Sequence, residues 1–179
     1  MTGPAGGGAV YRRPRAADQL SVAVWVSPGR PQYVAGARRW AQAVAAAWGA
    51  GAADTALVVS ELVTNALRHT RSGQPGGTVT VVVAGAWEAV TVHVHDLGSD
   101  GGQVPGPSAA DPAGAGLADD GWGLPIVIAV STEWGTIPAA WCPVRGSGDQ
   151  AAEASGGCCT WCRLTARPHE QDREDSSDG

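Results

Sequence analysis

Apolar residues recur along the first half of the chain with two different periods, which predict a strand followed by two helices. Residues 20–26 are typical of a strand, which a Pro-Gly-Arg-Pro segment ends. Residues 31–48 are Ala-rich, with apolar positions three or four residues apart, and predict an amphipathic helix that ends before Gly49. A second helix is predicted over residues 54–69, with Asp54 as its N-terminal cap.

The second half of the chain is dominated by period-two alternation, which is typical of strands. Four strands are predicted, over residues 78–84, 89–96, 132–137 and 158–164. The first two form a hairpin, and a short helix is predicted over residues 124–131. Residues 97–120 form a long loop rich in Gly, Pro and Asp, and loops of this length are usually functional or mobile. We therefore expect this loop to become ordered when a ligand binds.

Composition indicates one domain with polar ends. The chain has 179 residues and a hydrophobic content of 44%, which suffices for one domain with a substantial core, placed at residues 20–166. Residues 1–19 are rich in Gly, Pro and Arg, and residues 167–179 are polar. Neither end can bury enough apolar surface to order itself, so both are expected to be disordered.

Charge and hydropathy exclude several classes of partner. The net charge is −5, and the twelve basic residues are scattered arginines that form no stripe, which argues against nucleic acid. No apolar run approaches the roughly 20 residues of a membrane-spanning helix. The N-terminal segment lacks the apolar centre of a signal peptide, so we expect a reduced, cytoplasmic setting.

The segment SELVTNALRH places polar side chains on a helix that otherwise has a buried face. Glu61 and Asn65 are one turn apart and therefore lie one above the other. Val58, Leu62 and Ala66 form the adjoining apolar stripe, so the polar pair lies at the border of the core, where a pocket would form. Taken alone, the pair is equally consistent with an ordinary helix surface.

The strand AVTVHVHD ends in a carboxylate that faces the core. Asp96 is in phase with the valines of the strand, and an isolated carboxylate there is costly unless it has hydrogen-bond donors. An adenine amino group, a helix N-terminus or a neighbouring arginine can supply them. Gly98 lets the backbone turn close to the site. His93 and His95 share the opposite face; they could pair as metal ligands, but polar positions on an exposed face are the favoured interpretation.

The segment DDGWGLPIV places two glycines before a short helix. Backbone N–H groups at Gly121 and Gly123 would point towards one spot, an arrangement that binds phosphate. The pattern lacks the third glycine of a dinucleotide-binding fingerprint, and the chain has no lysine for a Walker A motif.

The four cysteines are crowded near the C-terminus and lack the even spacing of a disulfide framework. Cys159 and Cys162 have the CxxC spacing, but residues three apart on a strand face opposite sides. Cys158 and Cys162 share a face but lie about 13 Å apart. We therefore expect the cysteines of this chain to bind no metal.

Taken in order, these motifs resemble the N, G1 and G2 boxes of the histidine-kinase-like (GHKL) ATPases, which include gyrase B, MutL, heat-shock chaperone ATPases and sensor histidine kinases. The resemblance spans residues 20–164, and ELVTNALRH is similar to the N box of bacterial anti-sigma serine kinases of the RsbW and SpoIIAB type. Trp134 and Gly135 match a Trp-Gly step of that family. The resemblance implies an α+β fold, a two-layer sandwich of the Bergerat type with a mixed, mostly antiparallel sheet and helices on one face.

The resemblance also implies ATP and magnesium (Mg2+) as ligands and assigns roles to the polar residues. Asn65 would hold the metal, and Glu61 would be the general base; Arg68 and His69 follow the family pattern without a defined role. Asp96 would accept a hydrogen bond from the adenine amino group. The remaining nucleotide contacts implied are Gly98 and Thr160 near the adenine, and Gly121, Gly123 and Leu124 over the phosphates.

The function implied is an ATP-dependent serine/threonine kinase that regulates a sigma factor by phosphorylating a small anti-sigma antagonist protein, with a homodimer as one possible assembly. The alternative is an ATP-binding switch that sequesters a partner without phosphoryl transfer. Glu61 favours the kinase, because a pure binder needs no base. Trp122 between the two glycines, and the acidic Asp119 and Asp120 before them, favour the switch.

Overall fold

The protein is described by a computed structural model covering residues 9–10, 21–86, 89–99, 123–144, 152 and 156–165. Residues 100–122 of the predicted loop and glycine turn, including Gly121, and residues 166–179 at the C-terminus lie outside the described residues. The described residues include six strands, β1 Ala9–Val10, β2 Ser21–Pro28, β3 Thr78–Ala86, β4 Ala89–His95, β5 Glu133–Pro138 and β6 Cys158–Thr165. The α-helices whose bounds lie within the described residues are α1 Val34–Ala47, α2 Ala52–His69 and α3 Gly123–Val130.

The strands form one sheet in the order β1-β2-β3-β4-β6-β5, and each neighbouring pair described is antiparallel. β3 and β4 form the predicted hairpin. The chain then passes through α3 to the edge strand β5 before β6 returns between β5 and β4. β1 pairs with β2, so Ala9–Val10 are part of the sheet, while residues 1–8 and 11–20 lie outside the described residues.

The main core lies between one face of the sheet and the helices. On β4 the buried valines Val90, Val92 and Val94 face this layer, and Cys162 and Leu164 extend it on β6. The buried sides of α1 and α2 and the α3 residue Val127 complete the cluster. Each valine fully buried in this way contributes about 1.5–3 kcal/mol relative to exposure. The predicted α+β sandwich with helices on one face is confirmed.

The second helix begins earlier than its sequence pattern predicted. Gly51 is the N-cap, and its carbonyl accepts both the backbone N–H and the hydroxyl of Thr55, at 2.9 and 2.8 Å. Asp54 is therefore the third helical residue and not the cap, so the capping prediction was wrong. A carboxylate in the first turn still complements the helix dipole.

The opposite face of the sheet is also covered. His93 and His95 are 5% and 1% exposed, so the interpretation of this face as exposed was wrong. The ring of Trp161 stacks on His93, with centroids 6.5 Å apart, and Cys142 packs against His93 from the turn that follows β5. The alternating sequence of β4 predicts which residues share a face of the sheet. It does not predict that a segment distant in sequence covers the face that carries His93 and His95.

Among the described residues, no helix is both long enough and apolar enough to span a bilayer.

Candidate functional site

Glu61 and Asn65 lie at the rim of the face that α2 buries. Both side chains are half-buried, whereas Val58, Leu62 and Ala66 beside them are almost fully buried. α2 packs against β4, β6 and α3, so this rim borders the space between helices and sheet. The polar pair is thus held by a rigid helix while remaining accessible to a ligand.

Asp96 lies directly after β4 and is buried on the helix-facing side, as its phase with the valines predicted. Its Oδ1 accepts a hydrogen bond from the Gly98 backbone N–H at 2.6 Å. Burial raises the pKa of this carboxyl, while backbone hydrogen bonds from Gly98 and Cys158 and the charges of His95 and Arg71 oppose the rise. An ionised carboxylate has room for about four hydrogen bonds, so a further donor would stabilise it here.

Gly98 is required by the backbone that follows Asp96. Its φ is +71°, in the left-handed region, and an added Cβ would lie 2.8 Å from the carbonyl oxygen of Gly156. The backbone that follows β4 therefore packs directly against the backbone that precedes β6, and this contact fixes the position of Asp96.

Arg71 and Ser72 hold this turn from the segment after α2, and the sequence patterns did not reveal either residue. The Arg71 backbone N–H donates to the Gly98 carbonyl at 2.8 Å, and its guanidinium donates to the Leu97 carbonyl at 2.6 Å. The Ser72 hydroxyl accepts from the Leu97 N–H at 2.9 Å. An arginine near Asp96 was one of the alternatives open from sequence, but 26 residues separate Arg71 from Leu97.

Arg68, in contrast, lies exposed in the last turn of α2, together with His69. Arg71, by comparison, is half-buried and donates hydrogen bonds into the turn that carries Asp96. Arg71 is the arginine that this end of the helix contributes.

Thr160 lies on the same face of the sheet as Asp96. It pairs with Val94 on β4, two residues before Asp96, and with Thr136 on β5. The two threonine hydroxyls are 3.3 Å apart. Thr136, like Arg71 and Ser72, was not found from the sequence patterns; its position opposite Thr160 on the edge strand was the available signal. A carboxylate and two hydroxyls thus share one end of the core layer.

α3 begins at Gly123 and packs against α2 through Val127, which is fully buried. Leu124 is 37% exposed in the first turn of this helix. Pro125 is compatible with that turn, where its missing N–H is not required. The start of α3 is thus at the described edge of the site, while the contribution of Gly121 falls outside the described residues.

The family model described as the histidine kinase-like ATPase domain matches residues 27–135, more than half of the 179 residues. The chain belongs to the histidine kinase-like ATPase domain family. No curated protein matches it at a significant level. The family match makes ATP the expected ligand of this domain.

The residues present fit an adenine nucleotide at the sheet end of the site. A buried carboxylate whose ionised form needs donors suits an exocyclic amino group, and Thr136 and Thr160 offer hydroxyls beside it. The region that the family model matches contains Glu61, Asn65 and Asp96. Thr160 and all four cysteines lie C-terminal to it.

Proposed function

We propose that this chain is an ATP-dependent serine/threonine protein kinase of the anti-sigma-factor type, acting on a small antagonist protein in the cytoplasm. The observation that carries the proposal is Glu61, a half-buried carboxylate one turn before Asn65 on the helix that borders the site. A domain that only binds a nucleotide has no need of a base at that position.

At the adenine end, Asp96 accepts a hydrogen bond from the exocyclic amino group, and Thr160 contributes its hydroxyl on the same sheet face. Arg71 and Ser72 act indirectly, because they hold the backbone of residues 97–98 that follows the carboxylate. These hydrogen bonds preorganise the turn, and a preorganised site binds its ligand with a smaller entropic cost.

At the phosphate end, Asn65 offers a carboxamide oxygen, the type of ligand that Mg2+ prefers. A bound magnesium ion would neutralise phosphate charge during transfer. Phosphate contacts are assigned to the backbone N–H groups of Gly121 and Gly123 and to Leu124 in the first turn of α3. Glu61 takes the proton from the attacking serine or threonine hydroxyl onto its own carboxylate, which makes the oxygen a better nucleophile.

The second candidate function is an ATP-binding switch that sequesters a partner without phosphoryl transfer. In the sequence, Trp122 stands between the two glycines, and Asp119 and Asp120 directly precede them with two negative charges, which disfavour a triphosphate. Both candidates share the nucleotide site, the sigma factor and antagonist as partners, and a homodimer as a proposed assembly. They differ in whether Glu61 acts as a general base for phosphoryl transfer.

Phosphoryl transfer from radiolabelled ATP to candidate antagonist proteins separates the two. Glu61→Ala should lower transfer by roughly 10²–10⁴-fold while keeping magnesium-dependent ATP binding. Asn65→Ala should lose that binding as well. Thr64→Ala is the matched control, because Thr64 lies between them on α2 and its hydroxyl donates to the Ser60 carbonyl of the same helix.

The kinase proposal fails if the wild-type protein, saturated with ATP and bound to its antagonist, transfers no phosphate. The switch would then be the function. Equal rates of phosphoryl transfer by the wild type and Glu61→Ala would instead show that Glu61 is not the general base.

A further inference from the structure

Three donor atoms meet on the face of the sheet that lies opposite the helices. His93 is on β4, Cys159 is on β6, and Cys142 follows the turn after β5. All three residues are buried, and their nitrogen and sulfur atoms lie within 4.8 Å of one another. We call these residues the back-face cluster.

The distances in the back-face cluster match those around a tetrahedral metal ion. The two sulfur atoms are 3.2 Å apart, and His93 Nδ1 lies 3.4 Å from Cys142 Sγ and 3.7 Å from Cys159 Sγ. Ligands at ordinary zinc bond lengths in a tetrahedron are separated by about 3.8 Å between sulfurs and about 3.6 Å between sulfur and nitrogen. An ion between these atoms requires movements of only about half an ångström.

The hydrogen bonds behind His93 select the tautomer that a metal ligand needs. The Thr91 hydroxyl donates its one hydrogen to the Ala84 carbonyl, at 3.2 Å. Its oxygen lies 3.1 Å from His93 Nε2, so it accepts a hydrogen bond from that nitrogen. The lone pair of the neutral ring is then on Nδ1, which faces both sulfurs. Metal-ligating histidines characteristically donate their other N–H to such an oxygen.

The thiol pKa values of the buried cysteines are shifted in opposite directions. Hydrogen bonds from Cys159, His93 and His95 lower the pKa of the Cys142 thiol below its ordinary value, against the effect of burial. Burial raises the pKa of Cys158 to about 11 and that of Cys162 to about 12. A buried thiolate is costly unless a positive charge compensates it, and a divalent ion between two thiolates would do so.

We propose that His93, Cys142 and Cys159 bind a structural zinc ion, with His95 as the fourth ligand. His95 is fully buried and lies directly opposite Cys159 in the pairing of β4 with β6. Two thiolates and two neutral imidazoles form the donor set that selects zinc over the harder divalent ions. Two thiolates also balance the charge of the ion.

The site would fasten the segment after β5 to the back of the sheet. The Ala139 N–H in this segment also donates to the Gly157 carbonyl, at 2.9 Å. Trp161 stacks on the His93 ring, and Gly135 leaves space for its indole, since an added Cβ would lie 3.2 Å from the indole nitrogen. The ion would be enclosed, as structural zinc sites are.

Sequence spacing alone led to the opposite expectation for the cysteines. That expectation compared Cys158, Cys159 and Cys162 along one strand, and the structure agrees that Cys159 and Cys162 face opposite sides of the sheet. The cluster instead joins Cys159 to residues from β4 and from the turn after β5. Cys142 and Cys159 both lie beyond the region that the family model matches.

Zinc content measured by mass spectrometry tests the proposal on the full chain, purified in reducing buffer without added metal and with any affinity tag removed. We expect one zinc ion per chain in the wild type. Cys142→Ser and Cys159→Ser should lose it, whereas Cys158→Ala, a buried cysteine outside the cluster, should retain it. Retention of full zinc content in both serine variants would overturn the proposal.

A second measurement does not depend on the folding of variants. Wild-type protein produced in zinc-depleted medium with cobalt should show a thiolate-to-cobalt charge-transfer band and intense tetrahedral d–d bands, and added zinc should abolish both. A cobalt spectrum without the thiolate band, or an intact mass two hydrogens short with a Cys142–Cys159 disulfide, would overturn it. None of these readouts depends on ATP, so they are independent of the proposed kinase function.

Discussion

Asp96→Asn is predicted to weaken ATP binding while leaving the fold intact. The Gly98 N–H donates to one carboxylate oxygen at 2.6 Å, and the single carbonyl oxygen of asparagine can keep that bond. The side-chain NH2 then occupies the position of the other oxygen and faces the adenine amino group, donor against donor. Because burial raises the pKa of Asp96, removal of the charge should not destabilise the protein.

The expected loss in affinity follows from the hydrogen bond removed. A bond from adenine to a charged acceptor is worth about 1.5–3 kcal/mol, so the Kd for ATP should rise about 10- to 150-fold. Calorimetric titration with ATP and a thermal melt of the same sample measure affinity and folding together. Asp54→Asn removes a carboxylate from the first turn of α2, away from the site, and should match the wild type in affinity.

The pH dependence of binding adds a check with a defined sign. Since the folded-state pKa of Asp96 is raised above 3.8, acidification neutralises it earlier than an ordinary aspartate. The advantage of wild type over Asp96→Asn in ATP affinity should therefore shrink as the pH falls through that raised pKa. The effect of Asp96 on folding stability has the opposite sign. Protonation removes the desolvation cost of the buried carboxylate, so this residue destabilises the fold less as the pH falls through the raised pKa. A folded Asp96→Asn protein with wild-type affinity would refute the adenine assignment.

Two further predictions concern the turn after β4. Gly98→Ala should lower the free energy of unfolding, measured by chemical denaturation, by more than Gly49→Ala does. Both positions have φ +71°, so alanine incurs about 1–2 kcal/mol of backbone strain at either one. At Gly98 the new Cβ also meets the Gly156 carbonyl oxygen at 2.8 Å, whereas at Gly49 it meets no described atom within 4 Å. Equal losses would show that the turn relaxes freely. Arg71→Ala should weaken ATP binding and speed amide exchange at residues 96–99, since the Leu97 carbonyl loses its guanidinium donor, a loss of about 1–3 kcal/mol. The exposed Arg68 provides the control, and indistinguishable behaviour of Arg68→Ala and Arg71→Ala would contradict the role given to Arg71.

Much of this fold was predictable because local patterns determine it. The alternation of valines in β4 predicted both the strand and the inward direction of Asp96, and the spacing of Val58, Leu62 and Ala66 predicted the buried side of α2. The ends of elements were less predictable. The N-cap of α2 at Gly51, for example, depends on hydrogen bonds that Thr55 makes and not on the presence of a capping aspartate.

The features that sequence reasoning missed depend on contacts between distant segments. Arg71 reaches Leu97 across 26 residues, and Cys142 reaches His93 across 49. The burial of His93 and His95 requires the segment after β5 to fold over the sheet, and no periodicity on β4 records that. The candidate site divides in the same way: local patterns predicted the burial of Asp96 and the position of Glu61 and Asn65 beside the buried stripe of α2, but not the residues that hold the Asp96 turn.

The measurement that tests the central claim most directly is calorimetric titration of the wild-type chain with ATP, first with magnesium and then with the metal chelated. We predict saturable binding at one site per chain, with a Kd that rises when magnesium is removed, because Asn65 is proposed to hold the metal against the phosphates. No saturable binding in the presence of magnesium, by a chain whose melt shows that it is folded, would contradict the assignment of this domain as a nucleotide-dependent kinase or switch.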